Sequence, residues 1–385
     1  MACFSIENLN EALDILDSVP LIDGHNDWPH LIRAYYQNSL DARFEPLKNL
    51  AGHVDIKRLM QGKSGGAFWS AFMPCPRTDD DTDESSSFEV VKDTLQQIDL
   101  IYRLVELYKE KWEIANEADD ILRIFKQRKF VCLIGVEGLH QVGNSSSVLR
   151  MYHKLGVRYV TVVHSQNNMF ADSATAKAPA HGGLSEAGKA MIREMNRIGM
   201  LVDLSHASND TVLDTLKIST GPVAFTHSSC QGVVASGRNI SDEALDRTKV
   251  NGGIVMISFI PPLNNVEPEA ASIYDVIKNI MYVAEKIGFE HIGLGSDYDG
   301  MFKAVKGLED VSKYPHLVAS MLNRGISREN VEKIIGYNLI RVLKGVEKAA
   351  SCYGNKIIPL EDEVKPLWDK ELCALVKSVY PEAES

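Results

Sequence analysis

The chain has 385 residues, of which 45% are hydrophobic and 24% are charged, and this composition excludes collagen-like and low-complexity proteins. It carries 41 lysines and arginines against 52 aspartates and glutamates, which gives a formal net charge of −11. An acidic chain of this kind is not attracted to phosphate backbones or anionic lipids. Neither nucleic acid nor a membrane is therefore expected as a partner.

The cysteines and the two ends of the chain bear on its cellular compartment. The six cysteines are scattered and form no CxxC pair, unlike a disulfide scaffold or a cysteine-rich metal site. Residues 1–18 contain four acidic residues and no lysine or arginine, unlike a secretory signal. No apolar run approaches the roughly 20 residues that span a bilayer, and the sequence ends in the polar PEAES. These features predict a reduced, cytoplasmic protein without a membrane anchor.

Eight short apolar runs, each leading into a polar cluster, follow one another along the chain. They consist mainly of β-branched and aromatic residues bounded by glycine, proline or polar residues, which is typical of strands buried on both faces. The runs are VPLIDGHND, GGAFWSAFMP, FVCLIGVEG, VRYVTVVHS, MLVDLSH, PVAFTHSS, GGIVMISF and HIGLGSDYDG. An acidic, serine-rich stretch at 77–87 follows the second run and is interpreted as a solvated insertion.

Helical patterns separate the runs. The segment LSEAGKAMIREMNRIG places Leu184, Met191 and Met195 on one face, and SIYDVIKNIMYVAEKIG does the same with Ile273 and Ile277. Both segments end at glycine, a common helix stop. Eight strand–helix units predict an α/β fold, a single (β/α)8 TIM barrel. A doubly wound sheet fits less well, because no GxGxxG follows the first run.

The domain organisation follows from this repeat. Length alone would allow two or three domains of roughly 150 residues each. The repeating units instead favour one barrel domain over residues 1–385, with its core at about 19–350. A helix within residues 1–18 and a C-terminal extension at 351–385 are expected to pack on this core.

Side chains that can bind metal ions lie at the ends of the runs, where barrel enzymes have their active sites. Six of the eight runs end in histidine or carboxylate residues, and four of the 11 histidines are among them. The residues are His25, Asp27, Glu137, His164, His206, His227 and Asp297. Histidine and carboxylate ligands suit Zn²⁺ and other divalent first-row metals. Two ions that share a carboxylate would use the whole set.

Each of these residues also has a structural interpretation when it is taken alone. Glu137 precedes a glycine and could cap a helix, and His164 could be a hydrogen-bonded residue of the barrel rim. Asp297, in GSDYDG, resembles part of a calcium loop, but the spacing of an EF-hand is absent. Their common position at strand ends favours the metal site. The remaining histidines are interpreted as surface or packing residues: His30, His53, His140, His153, His181, His291 and His316.

Taken together, the motifs resemble the membrane (renal) dipeptidases, zinc peptidases of the amidohydrolase-like barrel superfamily. The resemblance covers about 19–350 and is carried by DGHND, GVEG, LVDLSH, THSS, SGRN and GSDYDG. It implies a metal-dependent dipeptidase with two divalent ions per chain, zinc foremost, with manganese, cobalt or iron as alternatives. The implied ligands are His25 and Asp27 for one ion, His206 and His227 for the other, and Glu137 as the bridge.

The same resemblance implies three further roles. His164 matches a histidine that contacts the substrate and stabilises the developing oxyanion. Arg238, in SGRN, matches an arginine that holds the substrate carboxylate, for which its planar fork is suited. Asp297 matches the residue that moves a proton to the leaving amine.

The chain departs from the secreted members of this family. Where they carry cysteines after the histidines of the fourth and sixth strands, this chain has Gln166 and Val234, so Cys75 loses its partner. A substrate-facing tyrosine is replaced near Ile260, which leaves the substrate range open. Soluble members of this kind resemble fungal dipeptidases of gliotoxin-type pathways, which remove glycine from cysteinylglycine units. The resemblance therefore implies cysteinylglycine-type substrates, and a homodimer, as is usual in the family.

Two other classes of function remain open. A lactonase, deaminase or dihydroorotase would use a similar barrel. Many of these begin the first strand with HxH and place a bridging lysine on the fourth. Here the first strand has His25-x-Asp27, and the fourth ends in His164 without a lysine. A non-catalytic binding protein on the same scaffold would be expected to lack a ligand, and none is missing.

Overall fold

Short parallel strands form the centre of the molecule. The structure is a computed structural model that describes residues 4–76 and 84–382, so the acidic stretch at 77–87 lies largely outside it. Within these ranges the strands are Ile22–Asn26 (β1), Gly66–Ala71 (β2), Trp112–Ile114 (β3), Phe130–Val136 (β4), Val157–Thr161 (β5), Leu201–Asp203 (β6), Ala224–Ser228 (β7), Ile254–Ile257 (β8) and Ile292–Leu294 (β9). All strands but β3 form a closed parallel ring, in which β2 pairs with β4 and β9 pairs with β1. The predicted eight-stranded barrel is confirmed.

The strand β3 is an addition that the sequence did not predict. It pairs with residues 130–132 at the start of β4, whereas β5 pairs with residues 134–136 farther along. Trp112 in β3 stacks against Trp69 and Phe130, with ring centroids 5.7 and 4.7 Å away. The short strand therefore extends one edge of β4 outside the closed ring.

Helices surround the barrel. In the described ranges they are Ile6–Ser18 (α1), Trp28–Tyr36 (α2), Ile56–Gln61 (α3), Glu84–Leu107 (α4), Ala118–Lys126 (α5), Ser146–Lys154 (α6), Glu186–Ile198 (α7), Asn209–Ile218 (α8), Asp242–Asn251 (α9), Pro261–Asn264 (α10), Ile273–Ile287 (α11), Tyr314–Asn323 (α12), Arg328–Glu332 (α13), Asn338–Tyr353 (α14) and Lys370–Val379 (α15). The predicted helices α7 and α11 are both present. The Ser185 side chain caps α7, and Gly199 ends it with a left-handed φ of 79°.

The lower end of the barrel is closed by apolar packing. Side chains from the strands, among them Phe68, Leu133 and Met256, form one buried cluster with Leu343 and Val346 of α14. At the N-terminus, α1 packs against α12 and buries Ala12, Ile15 and Leu16. This packing leaves the opposite end of the barrel, where the strands terminate, for polar residues.

The C-terminal extension contacts the rest of the molecule through a short segment. The Asp362 carboxylate accepts hydrogen bonds from Ser145, Ser146 and Ser147, and the Leu360 carbonyl accepts one from Arg150. Helix α15 buries none of its residues, so the predicted packing of the extension does not include this helix. Among the helices of the described ranges, none combines the length and the apolar character needed to cross a bilayer.

Candidate metal centre

The strands themselves present four of the predicted site residues at one end of the barrel. His25 lies in β1 and His227 in β7, while Asp27 and Glu137 immediately follow β1 and β4. Because parallel strands end at the same edge, residues from distant parts of the sequence meet there. Gly24 is required next to His25, since a Cβ there would lie 2.4 Å from the Met256 sulfur.

The other three predicted residues lie on turns just beyond the barrel. His164, His206 and Asp297 each lie three residues after the end of β5, β6 and β9. His206 and Asp297 adopt left-handed backbone conformations, with φ angles of 67° and 62°. Such conformations are uncommon for residues other than glycine and often occur at functional sites. They turn both side chains back over the barrel mouth.

Glu137 lies between two groups of side chains. Its Oε1 atom is 3.1 Å from His206 Nε2 and 3.3 Å from His227 Nε2. Its Oε2 atom is 3.6 Å from His25 Nε2. The two carboxylate oxygens therefore face different groups, which we call the imidazole side (His206 and His227) and the carboxylate side (His25, Asp27 and Asp297).

The carboxylate side has an excess of negative charge. His25 Nε2 lies 3.1 Å from Asp27 Oδ2 and 3.7 Å from Asp297 Oδ1. Burial disfavours a charged His25, but Asp27 and Glu137 outweigh burial and raise the pKa of His25 to about 10. Within the described residues, the buried Oδ1 atom of Asp27 has no hydrogen-bond partner. Buried carboxylate oxygens without a donor are suited to a cation.

The imidazole side has the opposite character. The Nε2 atoms of His206 and His227 lie 2.9 Å apart. Burial first, and then nearby positive groups that include Arg238 and His25, hold the pKa values of both histidines well below the ordinary range. Both imidazoles are therefore neutral, which is the form that binds metal ions.

Ligand atoms on both sides are close enough to share an ion. Three groups have their atoms within 4.8 Å of one another: His25 with Asp27 and Glu137, His25 with His227 and Asp297, and Glu137 with His164 and His206. Gly300 leaves room beside them, since a Cβ there would lie 2.4 Å from Asp27 Oδ2 and 2.5 Å from Asp297 Oδ1. This donor set of nitrogen and oxygen atoms fits a divalent first-row metal.

Hydrogen bonds from residues that the sequence did not single out orient the histidines. His25 Nδ1 lies 2.8 Å from the Tyr159 hydroxyl, and His227 Nδ1 lies 3.0 Å from Thr226 Oγ1. Asp203 accepts bonds from the hydroxyls of Thr226 and Thr161 beneath them. Such partners fix which ring nitrogen faces a metal. Thr226 and Asp203 lie within the motifs THSS and LVDLSH, but the contacts of Tyr159 and Asp203 join strands that are distant in sequence, so these roles could not be assigned in advance.

Asp297 and Arg238 complete the predicted set. Burial and the charge of Asp27 raise the pKa of Asp297 above its ordinary range. Arg238 is partly buried, and burial lowers its pKa. Its guanidinium donates to Ser228 Oγ at 2.9 Å and to the His227 carbonyl at 3.0 Å. Arg238 is thus held directly beside a predicted metal ligand, and it is not a free surface side chain.

A cavity of about 640 Å³ opens above these residues. It is lined by Asp27, His30, Leu31, Ala34, Gly52, His53, Phe72, Glu137, His164, His206, Asp297, Asp299, Gly300, Met301 and Phe302. His30 and His53, which the sequence analysis interprets as surface or packing residues, both line this cavity. His53 is held there by Asp299, whose Oδ1 lies 3.0 Å from His53 Nδ1.

Comparisons with known proteins identify the family of this chain. Residues 9–356 match the model of the family described as "Membrane dipeptidase (Peptidase family M19)". Dipeptidase tcpJ of Claviceps purpurea is 51% identical over 405 aligned positions, which cover 100% of this chain and 95% of that protein.

Solved structures share the fold. The probable dipeptidase PvdM of Pseudomonas aeruginosa superposes with a TM-score of 0.81 at 20% identity, over 89% of this chain and 99% of that one. A metallopeptidase of Rhodobacter sphaeroides, solved with a phosphinate mimic of the dipeptide L-Ala-D-Ala, gives 0.76 at 22% identity, over 85% of this chain and 99% of that one. The extent of the family match and the similarity to tcpJ show that this chain belongs to the membrane dipeptidase family, peptidase family M19.

Proposed function

We propose that the protein is a metal-dependent dipeptidase that hydrolyses the peptide bond of short substrates with a free C-terminal carboxylate. The observation that carries this proposal is the position of Glu137. One of its oxygens faces His206 and His227, and the other faces His25. A carboxylate placed in this way between two sets of ligands is suited to bridging two ions.

The proposed cofactor is a pair of divalent ions, zinc foremost. His25 and Asp27 would hold one ion, His206 and His227 the other, and Glu137 both. Bound ions of this kind lower the pKa of water toward ~7 and polarise the peptide carbonyl. The Oδ1 atom of Asp27, which has no hydrogen-bond partner in the described part of the chain, and the neutral imidazoles of His206 and His227 support this assignment.

Three side chains of the site would act on the substrate. His164 presents its Nε2 atom toward Glu137 at 3.8 Å, where it would donate to the oxygen on which negative charge develops. Asp297, with its raised pKa, would hold a proton near neutral pH and pass it to the leaving amine. Arg238 would bind the substrate carboxylate through its guanidinium fork.

We further propose cysteinylglycine-type conjugates as substrates, from which the enzyme would release glycine. The cavity supports this narrower proposal, because Leu31, Ala34, Phe72, Met301 and Phe302 give it an apolar wall. A large group carried on the cysteine sulfur would pack against such a wall. Glycine at the other position requires no side-chain pocket.

A substrate panel tests both levels of the proposal. The holoenzyme should hydrolyse free dipeptides, and C-terminal amides should react with a kcat/KM roughly a hundredfold lower, because a charged hydrogen-bonded pair is lost. S-substituted cysteinylglycine should be the best substrate. If unrelated dipeptides react equally well, the narrower proposal is wrong. If a lactone or dihydroorotate reacts faster than every dipeptide, the dipeptidase assignment is wrong.

The proposal also covers the cellular compartment and the oligomeric state of the enzyme. We propose a cytoplasmic homodimer that acts on small peptides and does not bind nucleic acid. The described cysteines, from Cys75 to Cys373, are all free thiols, which supports a reducing compartment. Sedimentation velocity tests the dimer, which predicts about twice the mass of one chain.

A further inference from the structure

The turn that carries Asp297 has an uncommon backbone. Asp297 and Asp299 both adopt left-handed conformations, with φ angles of 62° and 68°. Neither residue is glycine, so each conformation costs free energy that other contacts must offset. The Asp297 end of the turn is bound to β1, because the Asp297 N–H donates to the His25 carbonyl at 3.1 Å. The Asp299 end is bound to a different segment of the chain.

His53 is the partner of Asp299, although it lies 246 positions earlier in the sequence. The backbone N–H of Asp299 donates to His53 Nδ1 at 3.1 Å, and the backbone N–H of His53 donates to Asp299 Oδ1 at 2.5 Å. The two residues therefore hold each other through one bond in each direction. Gly52 makes this close approach possible, since a Cβ there would lie 2.5 Å from Asp299 Oδ1.

The surroundings of His53 and Asp299 keep the pair in place. Their side chains are 11% and 1% exposed. The His53 carbonyl accepts a bond from the Val311 N–H at 3.3 Å, and the His53 ring lies beside Tyr298, with ring centroids 5.4 Å apart. The Tyr298 hydroxyl in turn donates to the Leu308 carbonyl at 2.9 Å. Because buried hydrogen bonds are costly to lose, this pair can fix the conformation of the turn.

We propose that His53 is a positioning residue for Asp297. By holding Asp299, it keeps the turn in the conformation that places Asp297 Oδ1 3.7 Å from His25 Nε2. The role rests on the proposed dipeptidase function, in which Asp297 passes a proton to the leaving amine. Proton transfer requires groups within hydrogen-bond reach, so relaxation of the turn lowers kcat. Neither His53 nor Asp299 is among the proposed metal ligands, so metal content and KM should change little.

Two matched substitutions of His53 distinguish a positioning role from a direct contact with the substrate. The side chain of His53→Asn places an oxygen close to the position of Nδ1, where it can accept the Asp299 N–H, whereas the longer side chain of His53→Gln reaches toward the position of Nε2. At unchanged metal content, His53→Gln should lower kcat about tenfold with little change in KM, and His53→Asn should recover most of this loss. If His53→Asn loses at least as much kcat as His53→Gln, or if only KM changes, the proposal is overturned.

His291 provides the matched control. Its imidazole is also partly buried and also bonds to the backbone through Nδ1, which lies 2.8 Å from the Gly253 carbonyl. It lies immediately before β9, at the end of the strand opposite to the site. His291→Ala should therefore keep the kcat and the KM of the wild type.

A double substitution tests whether the effect of His53 passes through Asp297. His53→Gln should cost about tenfold in kcat in the wild-type chain but less than about twofold in Asp297→Asn, where the carboxylate that it positions is already absent. Equal losses in the two backgrounds would overturn the proposal.

Hydrogen exchange of the holoenzyme tests the contact independently of catalysis. The Asp299 amide should exchange about tenfold faster in His53→Gln than in the wild type, because its acceptor is lost, and at nearly the wild-type rate in His53→Asn. Unchanged exchange in His53→Gln would overturn the proposal. If exchange follows the expected pattern but the wild type hydrolyses no dipeptide, only the proposed dipeptidase function fails.

Discussion

The two sides of the candidate metal centre differ in charge although they share Glu137. On the carboxylate side, Asp27 and Glu137 raise the pKa of His25 to about 10. His25 is therefore protonated at a position where the surrounding carboxylates favour a cation. On the imidazole side, burial and Arg238 keep His206 neutral. The carboxylate side therefore attracts a cation by its negative charge, whereas the imidazole side offers the lone pairs of neutral rings.

The largest effect is expected from the residue that the two sides share. Glu137→Gln should lower kcat/KM by about three orders of magnitude or more, because both proposed ions lose a charged ligand. Metal analysis of the purified variant should show reduced occupancy. The exposed Glu267→Gln is the matched control and should behave as wild type. Normal metal content and normal activity in Glu137→Gln would remove the basis for one shared centre.

A smaller loss is expected from Asp297, the member of the carboxylate side to which we assign a proton-transfer role. Asp297→Asn should lower kcat by roughly 10²- to 10⁴-fold, which is typical when a general acid–base is removed. Steady-state kinetics combined with metal analysis check this, and the metal content should remain as in wild type. Loss of metal in this variant would instead make Asp297 a metal ligand beside His25 and Asp27.

Arg238, which lies next to the imidazole side, is expected to act on substrate binding. Arg238→Ala should raise KM for free dipeptides by about ten- to a hundredfold, because a charge-assisted hydrogen bond to the carboxylate is lost. Arg238→Lys keeps the positive charge but lacks the planar guanidinium fork, so its KM should lie between those of the wild type and Arg238→Ala. C-terminal amides, which lack the carboxylate, should be little affected. An unchanged KM for free dipeptides would count against the role.

The smallest effect is expected from Tyr159, whose hydroxyl contacts the side of the His25 ring that faces away from the metal site. Tyr159→Phe keeps the ring and removes the hydroxyl that lies 2.8 Å from His25 Nδ1. Loss of such a partner weakens metal affinity by about 10- to 100-fold. Competition with a chromophoric chelator measures this. One of the two ions should be released more easily, while the affinity of the other stays as in wild type. Equal weakening of both would show that the two sides are not distinct.

Much of the barrel could be predicted from the sequence because its strands are apolar runs buried on both faces. The strand β3, Trp112–Ile114, escaped prediction because it contains Glu113 and follows three charged residues, so it forms no apolar run. For helix α15, in contrast, the sequence suggested packing that the structure does not contain. Its mixture of charged and apolar residues suggested packing on the barrel, but the structure buries none of it.

Some features of the candidate site could likewise be predicted from the sequence, and others could not. The positions of His25 and Asp27 follow from alternation along a strand, and strand ends point to the others. The left-handed conformations of His206 and Asp297 leave no mark in the sequence that could be recognised in advance. The positions of His53 and Tyr159 depend on partners that are distant along the chain, Asp299 and His25. Contacts of this kind arise only when the barrel closes.

Reconstitution of the metal-free protein measures how many ions hydrolysis requires. Zinc would be added stepwise to the apoprotein while bound metal and dipeptide hydrolysis are measured on the same samples. The bridging position of Glu137 predicts that activity is absent without metal and reaches its maximum at about two ions per chain. Full activity at one ion per chain, or in the metal-free protein, would show that hydrolysis does not require two ions bridged by Glu137.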